Sequence, residues 1–451
     1  MPEKLSRKAQ IAYAWGGLGK NLAYGIVASY TLYYYNTVLG MSGSFIGSML
    51  MLARIFDAFN DPIMGVIVAR TESRWGRFKP WIFTGTLLNA LVLIAMFAVP
   101  EGLSVSNRRI YVTVTYLLCG ITYTLGDIPY WSIIPSVTVP GRERENMTTL
   151  ARAFSGIGTA APLVFTMAAV ALLGGGMRTA NYRTGFTRLA ILIAVVFVAT
   201  TMVMLYLIPR EKDRGERRAV GVKTLLKSLL HNDMALSVAA LIVLFYSATY
   251  LTSNLVVYVF RYDIGSELWY TPYMAITGVA QFLALTAGYM LLRRRFSNRQ
   301  IFFIACFAGI LGYVLLFAMS FTGKMTILKL VPAGVLIGGG MGLAYVLTTI
   351  LIADSVDYGE RKTGQREESM VSSLQTLMVK LSAAFGSFIA GIGIDLAHLS
   401  QASLDAGTSG IMTLRMLFAL PSMLLMGLAI LVLWRKKAIG APVERVGKKQ
   451  E

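Results

Sequence analysis

Asp57, Asn60 and Asp61 stand at i, i+3 and i+4, so a helix brings two carboxylates and an amide onto one face. Their neighbours are apolar: Met49 to Leu52, Ile55 and Phe56 before them, Ile63, Met64 and Val66 to Val68 after. Acids at membrane depth face a protein interior or a water-filled cavity and mark ion or proton sites. Two ionised groups about 4–6 Å apart repel by a few kcal/mol at an effective dielectric of about 20. A monovalent cation held by Asp57 and Asp61, or a proton on one of them, relieves that repulsion. The simpler alternative is a buried charge satisfied by Arg54.

Tyr123, Thr124, Asp127 and Trp131 form a second stripe, loosened by Gly126 and Pro129. A carboxylate beside an aromatic ring suits a sugar: the acid takes hydroxyl hydrogen bonds while the ring covers the apolar face of a pyranose. Thr124 adds a hydroxyl oxygen of the kind hard cations accept. The same residues also fit an Asp127–Arg152 or Asp127–Lys20 salt bridge with a packing tryptophan. Lys20, beside Asn21 and a cluster of glycines, is hard to explain by packing alone. Lys380, near Gln375 and Thr376, is a natural counter-charge for the two acids, whereas Arg415 lies near a segment end and is expected to snorkel.

These residues need a scaffold, and composition names its class. Hydrophobic residues make up 55% of the 451 and charged residues 14%, a balance that excludes ordinary soluble domains and predicts an all-α integral membrane protein. Twelve apolar segments, at about 11–39, 44–69, 80–99, 110–138, 146–174, 186–209, 234–260, 268–292, 300–320, 327–353, 370–397 and 411–434, are each long enough to span a bilayer. With the N-terminus inside, 29 of the 42 Lys and Arg fall in inner connections and tails, eight in outer ones and five within spans. That asymmetry predicts cytoplasmic termini and makes the net charge of +19 a matter of topology, with no nucleic-acid partner implied. Cys119 and Cys306 lie in apolar segments and predict neither a disulfide nor a metal cluster.

The basic, amphipathic stretch 210–232 divides six spans from six. It predicts an N-terminal bundle over 1–209, a cytoplasmic linker over 210–232, and a C-terminal bundle with its tail over 233–451. No residue-level repeat relates the halves, so their pseudo-symmetry is read from hydropathy alone. An enzyme is disfavoured, since no nucleophile–base pair, metal-ligand cluster or phosphate loop is visible. A carrier of lipids or drugs would have a broad apolar pocket, and a non-transporting sensor would have degraded acids or an added soluble domain.

Five runs, in order, carry a resemblance. They are Arg54 to Trp81, Thr124-Leu-Gly-Asp-Ile-Pro-Tyr-Trp-Ser, Arg142-Glu-Arg-Glu, Ala353-Asp-Ser-Val-Asp-Tyr-Gly-Glu and Gln375-Thr-Leu-Met-Val-Lys380. Together they resemble the melibiose-permease-like glycoside–pentoside–hexuronide:cation symporters of the major facilitator superfamily. The likeness implies a twelve-helix fold of two pseudo-symmetric six-helix bundles in a bacterial inner membrane. It also implies alternating access, coupling of sugar uptake to Na⁺, Li⁺ or H⁺, no cofactor, and action as a monomer. By position, the family's cation site falls on Asp57, Asn60, Asp61 and Thr124, with Lys380 nearby. Its sugar site falls on Lys20, Asp127, Trp131 and Arg152, joined by Tyr123, Gln375 and Thr376, while Tyr345 stands where a tryptophan is expected. Galactoside carriers of the family have an aspartate at the position of Asn21. With Lys20 and Arg152 retained, losing that charge makes the pocket more positive and raises an acidic sugar, such as a glucuronide, as the alternative to a galactoside.

Overall fold

The computed structural model describes residues 5–138, 142–176, 181–210, 233–322, 326–363, 368–399 and 408–435. Nearly all of these lie in twelve long helical runs. In the first half they are α1 (Arg7–Tyr33, continued by a π turn at Tyr34–Val38), α2 (Gly43–Ala69), α3 (Lys79–Phe97), α4 (Val105–Val137), α5 (Arg142–Leu173) and α6 (Tyr182–Leu207). Next come α7 (Asp233–Tyr258, with a π turn at Val259–Ile264) and α8 (Tyr270–Leu283, carried through a π turn at Ala284–Gly288 to Tyr289–Arg293). The last four are α9 (Asn298–Ser320), α10 (Ile327–Thr363), α11 (Glu368–Leu396) and α12 (Thr408–Arg435). Among the described residues, nine of these runs are long and apolar enough to cross a membrane by length and composition alone. The other three, α1, α2 and α4, carry Lys20, the Asp57–Asp61 face and Asp127. Of the predicted linker, residues 211–232 lie outside the described residues.

The chain divides into two compact units, one of residues 1–39 and 56–219, the other of 40–55 and 220–451. α2 therefore belongs to both. In the first unit α1 packs on α5 and α6, and α3 packs on α4 and α6. In the second, α7 packs on α11 and α12, and α9 packs on α10 and α12. The pairing scheme repeats six helices later, a regularity that residue identities do not reveal. Large apolar side chains such as Leu91, Leu192 and Leu424 are exposed, as expected of helix faces whose solvent is lipid rather than water.

A helix C-terminus leaves carbonyls unsatisfied and partly negative. Basic side chains meet several of them. Lys79, at the start of α3, donates to the carbonyls of Leu205 and Ile208 at the end of α6, at 3.1 and 2.6 Å. Arg299, at the start of α9, does the same for α12 through Leu433 and Trp434, at 2.8 and 3.3 Å. Arg108 reaches Leu39, Arg183 reaches Val99 and Arg188 reaches Leu173, where α1, α3 and α5 end. Three of the basic residues counted on the outer side are thus helix caps. Arg415, expected to snorkel, instead forms a bidentate pair with buried Asp263, Nε to Oδ2 and Nη2 to Oδ1 both at 2.7 Å.

Candidate functional site

Ten of the predicted site residues fall in the first unit and are carried by α1, α2, α4 and α5. α1 is tied to α4 one to two turns from Lys20. The Tyr13 and Tyr130 rings stack with centroids 4.4 Å apart, and each hydroxyl donates to the other residue's carbonyl. Gly17 makes room for this tie, since a Cβ there would lie 2.3 Å from the Tyr130 hydroxyl.

That tie sets Lys20 against Asp127. The ammonium is buried and pairs with Asp127 Oδ1, which also accepts from Trp131 Nε1 at 3.2 Å. The same ammonium lies 4.1 Å from the ring centre of Tyr130, 5.1 Å from that of Trp131 and 5.7 Å from that of Tyr123. Ring faces stabilise a desolvated cation by about 1–2 kcal/mol each at best. Both donors converge on Oδ1. Oδ2 has no partner among the described residues, and the Asp127 side chain is 29% exposed, so one carboxylate oxygen remains open to a ligand. Arg152, on α5, is exposed and lays its guanidinium 4.0 Å above the Trp131 ring, with no ion pair among the described residues. Asn21 faces inward to the protein instead. Its amide donates to the Gly17 carbonyl at 2.8 Å and accepts from Thr159 on α5 at 3.3 Å.

The second cluster lies where α2 runs along α4. Thr124 donates to Asp61 Oδ1 at 3.1 Å, which leaves the threonine's lone pairs facing outward from that bond. One turn earlier on each helix, buried Asp57 sits against Gly120, where a Cβ would lie 2.6 Å from Asp57 Oδ1. Asn60 is half-buried, and its Nδ2 has no hydrogen-bond partner among the described residues. Thr124 and Asp127 are a single turn apart, so α4 carries the edge of both clusters.

Two contributors escaped the sequence reading. Tyr130 supplies the nearest ring to Lys20, and its signal was its place at i+7 from Tyr123 and next to Trp131. Gly120 is legible only as a small residue one turn before Thr124. Arg54, Tyr345, Gln375, Thr376 and Lys380 belong to the second unit. There Tyr345 meets Tyr246 edge-on with ring centres 5.0 Å apart. The side chains of Gln375 and Thr376 lie outside the described residues.

Comparison with known proteins supplies the family. The model of the family described as "MFS/sugar transport protein" matches residues 12–438. The chain belongs to that family. Within it, the transporter is a member of the glycoside–pentoside–hexuronide:cation symporters and not an enzyme. It is 28% identical over 440 residues to the raffinose carrier protein of Pediococcus pentosaceus, covering 92% of this chain and 67% of the relative. It is 27% identical over 444 residues to the glucuronide carrier protein homolog of Escherichia coli, covering 96% and 93%. Among solved structures, the nucleoside transporter NupG superposes with a TM-score of 0.61 at 14% identity, covering 97% of this chain and all of that one. A bacterial homolog of the lysosomal transporter Spinster, inward-facing and occupied, gives 0.66 at 14% identity, covering 95% and 96%. These two likenesses concern the fold.

Proposed function

We propose that the transporter carries a glycoside into the bacterial cytoplasm together with Na⁺, Li⁺ or H⁺, with both termini inside and a single chain sufficing. The observation that carries this reading is the open Asp127 oxygen beside Trp131, a single helical turn from the Thr124–Asp61 contact. A cation between Asp57 and Asp61 removes their mutual repulsion and steadies Thr124 on α4. The neighbouring turn then holds Asp127 and Trp131 for the sugar. Each ligand raises the affinity of the other by the same factor, and the loaded transporter exposes the site to one side and then the other.

The sugar cluster sums to one positive charge, because Lys20 pairs with the single carboxylate of Asp127 while Arg152 stands over the Trp131 ring. Asn21 adds no charge and is engaged within the protein. This favours an acidic glycoside over a galactoside. Uptake of methyl α-galactoside and methyl β-glucuronide into membrane vesicles, with Na⁺, Li⁺ and a pH gradient imposed separately, tests both points. Asp61→Cys is expected to abolish cation-driven accumulation and keep sugar binding; normal Na⁺-driven accumulation by that variant refutes the assignment. Asn21→Asp is expected to shift preference toward the galactoside, and an unmoved preference removes Asn21 from substrate choice.

A further inference from the structure

Beside the sugar cluster, and sharing Lys20 and Tyr123 with it, the first unit contains a small pocket that the sugar and cation readings leave unused. It is lined by Lys20 from α1, Thr86 and Asn89 from α3, Tyr130 from α4 and Thr201 from α6, and it has room for about one water-sized group. Its polar lining is deeply buried: Thr86 and Thr201 are each 2% exposed and Asn89 is 3% exposed. Asn89 Nδ2 donates to the Cys119 carbonyl at 3.0 Å and to Thr122 Oγ1 at 2.9 Å. Its Oδ1 and the hydroxyls of Thr86 and Thr201 form no hydrogen bond with any described residue. Oxygens that line a small space and meet no donor from the protein are satisfied by whatever fills that space.

Asn89 Oδ1 only accepts, while the threonine hydroxyls can also donate, so the occupant must bring at least one donor. An ammonium has three and no acceptor. Lys20 lines this pocket as well as pairing with Asp127, and its ammonium already rests on the Tyr130 ring that forms one wall. We propose that the pocket is a second seat for the Lys20 ammonium, taken up when a sugar claims both oxygens of Asp127. The seat rests on the sugar reading above and extends it. Oδ1 already accepts from both Lys20 and Trp131, so a hydroxyl pair that takes both oxygens of Asp127 displaces one of them, and Lys20 is the one with a neighbouring seat. A flexible four-carbon stem lets the charge swing rather than be stranded. Thr86, Asn89 and Thr201 then act as positioning residues: they touch Lys20, not the sugar.

Releasing Lys20 without any sugar separates the two readings. In the full-length protein, Asp127→Asn removes the carboxylate charge and sends the ammonium to the seat. Thr201→Val, made in that background, is expected to lower the melting midpoint by about 3 °C more than it does in the parent. The excess is expected to disappear when Lys20→Met is added and to be recovered with Thr201→Ser. Equal losses in all three backgrounds mean that the pocket holds only water, and overturn the proposal. A second readout covers an Asp127→Asn chain that does not fold. Thr201→Val is expected to weaken binding of methyl α-galactoside or methyl β-glucuronide about fivefold while leaving Na⁺ affinity, measured without sugar, unchanged; unchanged glycoside affinity also overturns the seat. A parent protein that binds neither glycoside defeats the sugar reading instead, and the melting comparison still decides the seat.

Discussion

Each unit shows an ion pair with at least one buried partner among its described residues, and the two are built in opposite ways. In the second unit Arg415 closes both oxygens of Asp263 at 2.7 Å, and the side chains are 12% and 2% exposed. In the first unit Lys20 and Trp131 share one oxygen of Asp127, the other is open, and three ring faces stand ready around the ammonium. A closed pair joins the ends of α7 and α12 and has nothing left to offer a ligand. An open pair carries an unfilled acceptor next to a cation with alternative company. Burial of charge alone does not mark a transport site; an incomplete set of partners does.

The sharpest way to break this contrast is to remove an acid from the closed pair. Asp263→Ala strands a buried guanidinium and is expected to cost about 3–5 kcal/mol of stability. Asp263→Leu with Arg415→Met is expected to return to within about 1 kcal/mol of the parent, since a packed apolar pair often replaces a buried ion pair without loss. Thermal unfolding in detergent measures both, and uptake per folded molecule should match the parent. A double variant that is stable yet inactive would make the closed pair functional and erase the distinction.

A smaller effect sharpens the first unit's side of the comparison. Gly120→Ala pushes a methyl group against Asp57 and is expected to weaken Na⁺ binding about tenfold, or ~1.4 kcal/mol, by isothermal titration. Stability should not fall with it, because alanine suits a helix interior better than glycine by about 1 kcal/mol. Loss of fold together with affinity would count against a local effect on the carboxylate.

The smallest effect concerns what the units share. Lys79→Met and Arg299→Met each uncap a helix of corresponding position and are expected to lower stability by about 1 kcal/mol apiece. Matching shifts in the unfolding midpoint support equivalence; a response confined to one unit denies it.

The spans were readable because a hydrocarbon slab imposes the same demand on every segment. Their helical ends were less so. The tenth span was expected to stop near residue 353, yet α10 runs to Thr363. Hydropathy reports where a chain leaves lipid, while a helix ends where its hydrogen bonds do. Lys20, Asp127 and Trp131 stood out as polar or amphipathic groups in apolar surroundings, but whether Asp127 pairs with Lys20 or Arg152 depends on how α1 and α5 face α4. Arg415 was misread for the same reason: its partner lies 152 residues away, at the end of a different segment. The π turn inside α8 has no sequence signal at all.

Lys79 and Arg299 share neither residue type nor surrounding sequence, yet each does the same task at the same place in its half. If the halves descend from a duplicated ancestor, what survived is a requirement, a positive group where a neighbouring rod runs out, rather than any letter. Aligning the halves by identity would pass over such a trace. Aligning them by what each helix terminus needs would find it.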